Sequence, residues 1–302
     1  MKKNLEQNYI SIVLVINEYK DEIGKKIDKI DKVLKNYFKN SEIVIVDNAL
    51  RNKNIKKLIN EDIKYTLIKL PIKHGSQQAL NAGTAIAIGD YIVEVEDISV
   101  EINFEMIIEM YKKSQEGYDF VFLTPKKIKA TSKMFYNILN KNFKNIFNTD
   151  ISSSIMTLSS RRGQNKVSEV GKKVINRNVA YVLSGLKSSS IAIDINYRNR
   201  RTFSDNLMLM FDTLIYYTDS IMVMSQRIAF FFFLLFGIGV FYSLIMRFFS
   251  NSVEGWASTF ILISLGFGGI FLILSIIIRY LHHILRNSIN TKDYIYRSVD
   301  RK

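Results

Sequence analysis

Apolar residues come in short blocks over the first half of the chain. Ser11 to Ile16 (SIVLVI) is a continuous run of strand length, and Glu22 to Asn40 follows with Ile23, Ile27, Ile30, Leu34 and Phe38 at helical spacing. Further strands are predicted at Glu42 to Val46, Lys64 to Leu70, Tyr91 to Val95 and Asp119 to Thr124. Between them lie helical patterns at Ile55 to Asn60, Ser76 to Ile88 and Phe104 to Ser114. Strands without strict alternation are buried on both faces. Helices between them imply right-handed crossovers and a mostly parallel α/β sheet. After Pro125 the rhythm weakens. Ser132 to Phe147 and Val167 to Leu183 read as helices, and Ile191 to Tyr197 as a strand.

The pattern then changes. Ile228 to Met246 and Ala257 to Ile278 are apolar on every face and carry no charge. About 20 helical residues cross a bilayer's hydrocarbon core, so both stretches have spanning length. The competing reading, a buried helical pair in a soluble core, conflicts with the polar face that soluble helices keep. Asp205 to Arg227 fits an amphipathic helix at the membrane interface, with an ordinary docking helix as the alternative. The predicted organisation is therefore a soluble domain at 1–204, a juxtamembrane helix at 205–227, spans at 228–246 and 257–278, and a basic tail at 279–302.

Charge orients this hairpin. Arg198, Arg200, Arg201 and Arg227 precede the first span, and Arg279, Arg286, Lys292, Arg297, Arg301 and Lys302 follow the second. The loop from Arg247 to Trp256 holds one Arg and one Glu. Positive flanks face the cytoplasm. The run SIVLVI is too short for a signal-peptide core, so the soluble domain is expected in the cytoplasm. The net charge of +14 is assigned to anionic lipid headgroups in the bilayer rather than to nucleic acid. The absence of Cys is consistent with a reducing location.

Ligands of open α/β sheets sit beyond the carboxyl ends of the strands, which here carry Asn17, Glu18, Asp47, Asn48 and the cluster Glu94, Glu96 and Asp97. Like charges at that spacing are relieved by a divalent cation bridging a diphosphate, since Mg²⁺ and Mn²⁺ prefer hard oxygen ligands. A solvated acidic loop has the same composition. His74 to Asp90 (HGSQQALNAGTAIAIGD) opens with a polar turn whose helix N-terminus offers donors to an anion, with Lys73 beside it. It is neither a GxGxxG nor a Walker A spacing, so no dinucleotide site or ATPase is implied. Tyr197 to Arg201 (YRNRR) would hold a lipid phosphate or serve as a headgroup anchor.

These segments resemble the inverting family 2 glycosyltransferases of the polyprenyl-phosphate type, with a GT-A fold. That group includes dolichol-phosphate mannose synthase-like and bacterial bactoprenol glucosyltransferases. SIVLVINEYKDE is similar to the family's opening strand and Asn-Glu pair at Asn17 and Glu18. EIVIVDNA is similar to its second-strand motif, with Asp47 as the first acid, Asn48 replacing the second, and Ala49 and Leu50 replacing a Gly-Ser. In the stretch HGSQQALNAGTAIAIGDYIVEVEDIS, Gly75, Ala79, Leu80, Gly83, Ala87, Gly89 and Asp90 match. In the family's Asp-x-Asp metal motif, Glu96 takes the first place and Ile98 the second. Ser160 and Arg161 resemble a late Ser-Arg element, and Tyr197, Arg198, Arg201 and Ser204 a run before a lysine that is here Asp205.

The resemblance implies a membrane-bound transferase that moves a sugar from a UDP- or GDP-sugar to a polyprenyl phosphate in bacterial cell-surface glycan synthesis. In the roles it implies, Asn17, Glu18, Asp47, Lys73 and Gly75 bind the nucleotide-sugar. Glu94, Glu96 and Asp97 hold Mg²⁺ or Mn²⁺, with Glu96 and Asp97 at the reaction, and Arg198 and Arg201 hold the acceptor phosphate. The departures from the family's acids leave a second reading, a non-catalytic glycosyltransferase-like protein that binds or regulates a partner enzyme. Gly237, Gly239, Gly266, Gly268 and Gly269 offer close helix packing, including packing in a homo-oligomer.

Overall fold

The computed structural model describes residues 5–50, 54–128, 130–143, 151–170, 174–195, 203–249, 255–288 and 297–301. The first half runs β1 (Ile10–Ile16), α1 (Glu22–Tyr37), β2 (Ser41–Asp47), β3 (Tyr65–Lys69), α2 (Ser76–Thr84), β4 (Tyr91–Val95), α3 (Met106–Gln115) and β5 (Phe120–Pro125). The second half runs α4 (Ala130–Phe143), β6 (Met156–Ser160), α5 (Arg161–Val170), α6 (Arg177–Leu183), β7 (Ser188–Ile193), α7 (Phe203–Tyr217), α8 (Ser220–Phe249), α9 (Trp256–Ser288) and β8 (Ser298–Arg301). Two compact units result, Met1–Leu209 with Asn290–Lys302, and Met210–Ile289.

The first unit is one sheet in the order β7-β5-β6-β4-β1-β2-β3-β8, flanked by helices. Strands β4, β1, β2 and β3 are parallel neighbours, as is the pair β5 and β7. The sheet is mixed because β6 enters antiparallel between β4 and β5, and β8 runs antiparallel along β3. Both faces are covered, which explains the unbroken apolar runs. One face packs Ile10, Ile12, Leu14, Ile43 and Ile45 against Ile23, Ile27, Ile30 and Leu34 of α1. The other packs Val13, Val15, Val44 and Val46 under Ala79, Leu80 and Ala82 of α2. Gly83 makes that second contact possible, since a Cβ there would lie 2.3 Å from Val13 Cγ1 and 2.9 Å from Val46 Cγ2.

Several predicted elements differ in detail. The single helix expected over 167–183 is two, because Asn176 caps a fresh start by accepting from Val179 N at 3.3 Å. The helix expected over 205–227 breaks after Tyr217, where the Thr218 hydroxyl turns back to Leu214 O and accepts from Ser220 N. Its second part joins α8 without interruption. Strands β6 and β8 were not anticipated.

In the second unit, Ser220–Phe248 and Ser258–His282 are long and apolar enough to cross a membrane. Phe232 stacks on Phe271 at 4.9 Å between ring centres, and Phe236 on Phe267 at 5.7 Å. Gly239 admits the Phe260 ring, and Gly268 lies opposite Phe233 and Phe236, whereas Gly237, Gly266 and Gly269 have open space before them.

Candidate functional site

The carboxyl edges of β1, β2 and β3 are joined by one side chain. Asn48 is buried and follows β2. Its Nδ2 donates to Asn17 Oδ1 at 2.7 Å and to His74 O at 2.8 Å, and its Oδ1 accepts from His74 N at 2.8 Å. The amide thus pairs with His74 as a strand backbone would, fixing the turn that leads into α2. A carboxylate has no hydrogen to give to Asn17 or to the His74 carbonyl. The Asn that replaces the expected second acid supplies the donor that the His74 carbonyl takes. Asn17 takes part in the scaffold, while Glu18 is exposed and pairs with Lys20 at 3.1 Å.

Asp47 stands beside this junction, 6% exposed, and accepts from Leu50 N at 2.9 Å. Burial pushes its carboxyl above the ordinary value, opposed by the Leu50 hydrogen bond and by the charges of Lys69 and Arg297. The turn that brings Leu50 back puts Ala49 at φ 59°, in the left-handed region that glycine occupies without penalty. That geometry accounts for the glycine expected there. Gly75 caps α2, with its N–H donating to Gln78 Oε1 at 2.7 Å, and Lys73 is exposed just before it.

The three acids at the end of β4 do not converge. Glu94 was expected to hold a metal, and this expectation is corrected. Its side chain is 3% exposed, on the α2 face of the sheet, in an ion pair with the equally buried Arg177. Arg177 Nε donates to Glu94 Oε2 at 2.5 Å, and Gln164 Nε2 to Glu94 Oε1 at 2.9 Å. The second guanidinium nitrogen and the Tyr181 hydroxyl also bond Glu94 Oε1, and Arg177 reaches Asn81 of α2. Burial pushes the Tyr181 phenol well above its ordinary pKa, which keeps it a donor to the carboxylate.

Asp97 turns back to accept from Ser99 N at 2.9 Å and Ser99 Oγ at 2.5 Å. Ile98, at the second metal-motif position, is 2% exposed in the core. Glu96 is half-buried at the strand end. Among the described residues, no group of three His, Cys, Asp or Glu is placed to hold a metal ion. The trio Glu94, Glu96 and Asp97 therefore does not fit a shared divalent cation.

Two residues that the sequence reading passed over organise this edge. Arg177 opens α6 and ties it to β4 and α2. Lys26 of α1 sends its ammonium under the loop after β4, donating to Ile98 O at 3.0 Å, Ser99 O at 2.8 Å and Val100 O at 3.2 Å. Neither has a local sequence signal for these ties, because Glu94 lies 83 residues from Arg177 and the loop carbonyls lie 72 to 74 residues from Lys26. Nearby, Asn178 Nδ2 donates to Ser152 O at 2.9 Å and Ser154 Oγ to Asn178 Oδ1 at 3.0 Å, which fixes the approach to β6.

Other matched residues lie at the opposite, amino edge. Arg161 grips Ala87 O and Gly89 O at 2.8 and 2.6 Å, and Ser160 and Arg162 bond Asp119. They hold the fold, about 17 Å from the carboxyl ends along a five-residue strand. Tyr197, Arg198 and Arg201 lie outside the described residues.

The chain matches the model of the family described as Glycosyl transferase family 2 over residues 12–162, half of its length. It is 26% identical over 298 residues to an uncharacterised glycosyltransferase of Bacillus subtilis, YkcC, covering 91% of this chain and 90% of that one. Solved structures share the fold at lower identity. Glucosyl-3-phosphoglycerate synthase from Mycobacterium tuberculosis, in complex with Mn²⁺, UDP and phosphoglyceric acid, aligns with a TM-score of 0.51 at 11% identity, over 69% of this chain and 76% of that one. A mannosyltransferase from Pyrobaculum calidifontis, in complex with GDP-mannose and Mn²⁺, aligns with a TM-score of 0.50 at 15% identity, over 70% and 65%.

Proposed function

Because the chain belongs to Glycosyl transferase family 2, we propose that it is a membrane-anchored inverting transferase that moves a sugar from a nucleotide-sugar to a polyprenyl phosphate. The observation that carries this reading is the coexistence of two features in one chain. A polar junction of Asn17, Asp47, Asn48 and His74 stands at the carboxyl edge of a GT-A sheet, and two helices have spanning length. A lipid acceptor gives the hairpin a purpose that a soluble acceptor would not.

In this reading the donor lies beyond β1 to β4. Asp47 accepts a hydrogen bond from the base or ribose, with Glu18, Lys73 and the Gly75 turn around the nucleotide. The acceptor phosphate is anionic near neutral pH and needs no strong base. One of its oxygens bonds to the anomeric carbon as the bond from that carbon to the leaving diphosphate breaks, with inversion. The nucleoside diphosphate departs with the electron pair. No proton has to move in that step, so the chain's residues act by positioning the two anions in line. Lys26 and Arg177 hold the loop after β4 and the start of α6, and Glu96 and Asp97 are assigned to the reaction, Asp97 from a turn braced by its own bonds to Ser99. Arg198 and Arg201 are assigned to the acceptor phosphate.

We assign the soluble unit to the cytoplasmic face of a bacterial inner membrane. The chain leaves the sheet before α8 and rejoins it at β8. A chain that returns to the same folded unit crosses the bilayer an even number of times, and two spans satisfy this. Transfer of radiolabel from a panel of UDP- and GDP-sugars into extractable lipid tests the proposal. Membranes with and without the protein are compared, with added polyprenyl phosphate and with Mg²⁺, Mn²⁺ or a chelator. Protein-dependent label in the lipid phase is expected. Label that moves instead to water-soluble products overturns the lipid acceptor, and no label with folded protein favours the non-catalytic partner role.

A further inference from the structure

Helix α1 follows the carboxyl end of β1 and sends one side chain across to the loop after β4. Ile23, Ile27, Ile30 and Leu34 form its buried stripe, and Lys26 is half-buried beside them. The Lys26 ammonium donates to Ile98 O at 3.0 Å, Ser99 O at 2.8 Å and Val100 O at 3.2 Å. An ammonium has three hydrogens and no acceptor, so three consecutive carbonyls take all that Lys26 can give. No donor is left for a substrate, and Lys26 can act on a reaction only through the loop it holds.

That loop carries the two acids assigned to the reaction. Its far side is pinned in the core by Ile98, Ile102 and Phe104. Ser99 joins the cation to the acids. Its carbonyl accepts from Lys26, while its N–H and hydroxyl donate to Asp97 Oδ1 at 2.9 and 2.5 Å. Val100 N closes the turn onto Asp97 O at 3.3 Å. A chain of hydrogen bonds therefore runs from Lys26 through Ser99 to the Asp97 carboxylate. Burial pulls the Lys26 ammonium below its ordinary pKa, against the charges of Glu101, Glu22 and Asp97. A loop that only had to satisfy its carbonyls could do so with water at this edge, without burying a cation.

We propose that Lys26 is a positioning residue for the sugar transfer, holding the loop after β4 in the conformation that presents Glu96 and Asp97 to the donor. The inference rests on the transferase reading above. Arg161 supplies the internal control. It also spends a cation on backbone carbonyls, those of Ala87 and Gly89, but at the amino edge of the sheet. Loss of either side chain removes comparable bonds, and only Lys26 holds the loop of the acids.

The test follows turnover of whichever UDP- or GDP-sugar the wild type consumes, together with UDP and GDP affinity and amide hydrogen exchange, in the full-length protein. Lys26→Met keeps the apolar stem and removes the three donors. It is expected to lower kcat about 10- to 100-fold, the cost of a reacting group displaced by about 1 Å, with UDP and GDP affinity unchanged. Lys26→Gln keeps two of the donors on a shorter stem, carries less risk to folding, and should lose turnover by less. Lys26→Arg should recover part of the kcat. The amides of Ser99 and Val100 should exchange faster in Lys26→Met, while those of β1 and β4 keep their protection. Arg161→Met should lower the unfolding midpoint and leave kcat unchanged. Wild-type kcat in folded Lys26→Met or Lys26→Gln overturns the proposal, as does unaltered exchange at Ser99 and Val100. Equal kcat losses in Lys26→Met and Arg161→Met, or a matching loss of UDP and GDP affinity, overturn it in favour of a general structural role. A wild type that consumes no nucleotide-sugar removes the transferase reading itself, and this inference with it.

Discussion

At Asn48 the identity of one side-chain atom sets how well the carboxyl edge is held. Substituting Asp for Asn48 removes the donor to Asn17 Oδ1 and His74 O; the Asn17 amide can turn to donate, whereas the His74 carbonyl then faces an acceptor at a buried position. Asn48→Asp is expected to cost about 2 kcal/mol near neutral pH. The loss should shrink in acid, where a protonated carboxyl regains one donor, and urea unfolding at two pH values reads both effects. Asp47 next to it carries the opposite lesson. Its folded pKa lies above the ordinary value because burial outweighs its hydrogen bond and neighbouring cations. The folded state therefore binds the proton more tightly than the unfolded chain. The stability this contributes is full below the unfolded pKa and is lost as pH rises through the folded one. Relative to Asp47→Asn, the wild type should lose stability as pH rises from about 4, the ordinary carboxylate value, through the raised folded value. A difference in unfolding free energy that stays flat over that range would contradict the burial argument.

At the scale of elements, close approach and one buried ion pair hold the sheet to its helices. Gly83→Ala forces α2 away from Val13 and Val46 and should cost about 2 kcal/mol, read by thermal or denaturant unfolding. Arg177→Met leaves Glu94 charged and unpaired at 3% exposure, with an expected loss of about 3–5 kcal/mol. Adding Glu94→Gln to Arg177→Met should recover a large part of that loss, because the stranded charge is gone. These contacts mark what the sequence could and could not convey. Strands β1 to β5 were legible because double-sided burial leaves an unbroken apolar run, and Tyr91–Val95 was predicted with its observed bounds. Met156–Ser160 was missed because three of its five residues are Ser or Thr, and its pairing with β4 and β5 is non-local. The acids of Val93 to Asp97 looked like one cluster because sequence proximity was all that could be read. Glu94 in fact points to a partner on α6, the strand ends at Val95 before Glu96, and Asp97 folds onto its own turn.

The whole molecule is organised by the return of the chain to its own sheet. The basic segment after the second apolar stretch reads as a tail, since four strand residues with two charges give no apolar signal. Their pairing with β3 fixes where the chain must be after the hairpin. If α8 and α9 both cross the bilayer, the turn between them is on the far side, while α4 and β8 share the near side with the rest of the sheet. The chain has no Cys, so single cysteines report sidedness without a background to remove. Ser258→Cys replaces an exposed residue near the start of α9, and Met134→Cys in α4 replaces a side chain that is 59% exposed. In intact cells a membrane-impermeant maleimide should label Ser258→Cys and spare Met134→Cys, and permeabilising the cells should expose both. The positive flanks predict this direction independently of the sheet. Labelling of Met134→Cys in intact cells would reverse the orientation and put the nucleotide-binding edge away from the cytoplasm. Protection of Ser258→Cys in intact cells, with labelling of both after permeabilisation, would place the turn on the same side as the sheet. That outcome leaves a hairpin that dips into one leaflet instead of crossing, and an acceptor reached from one side.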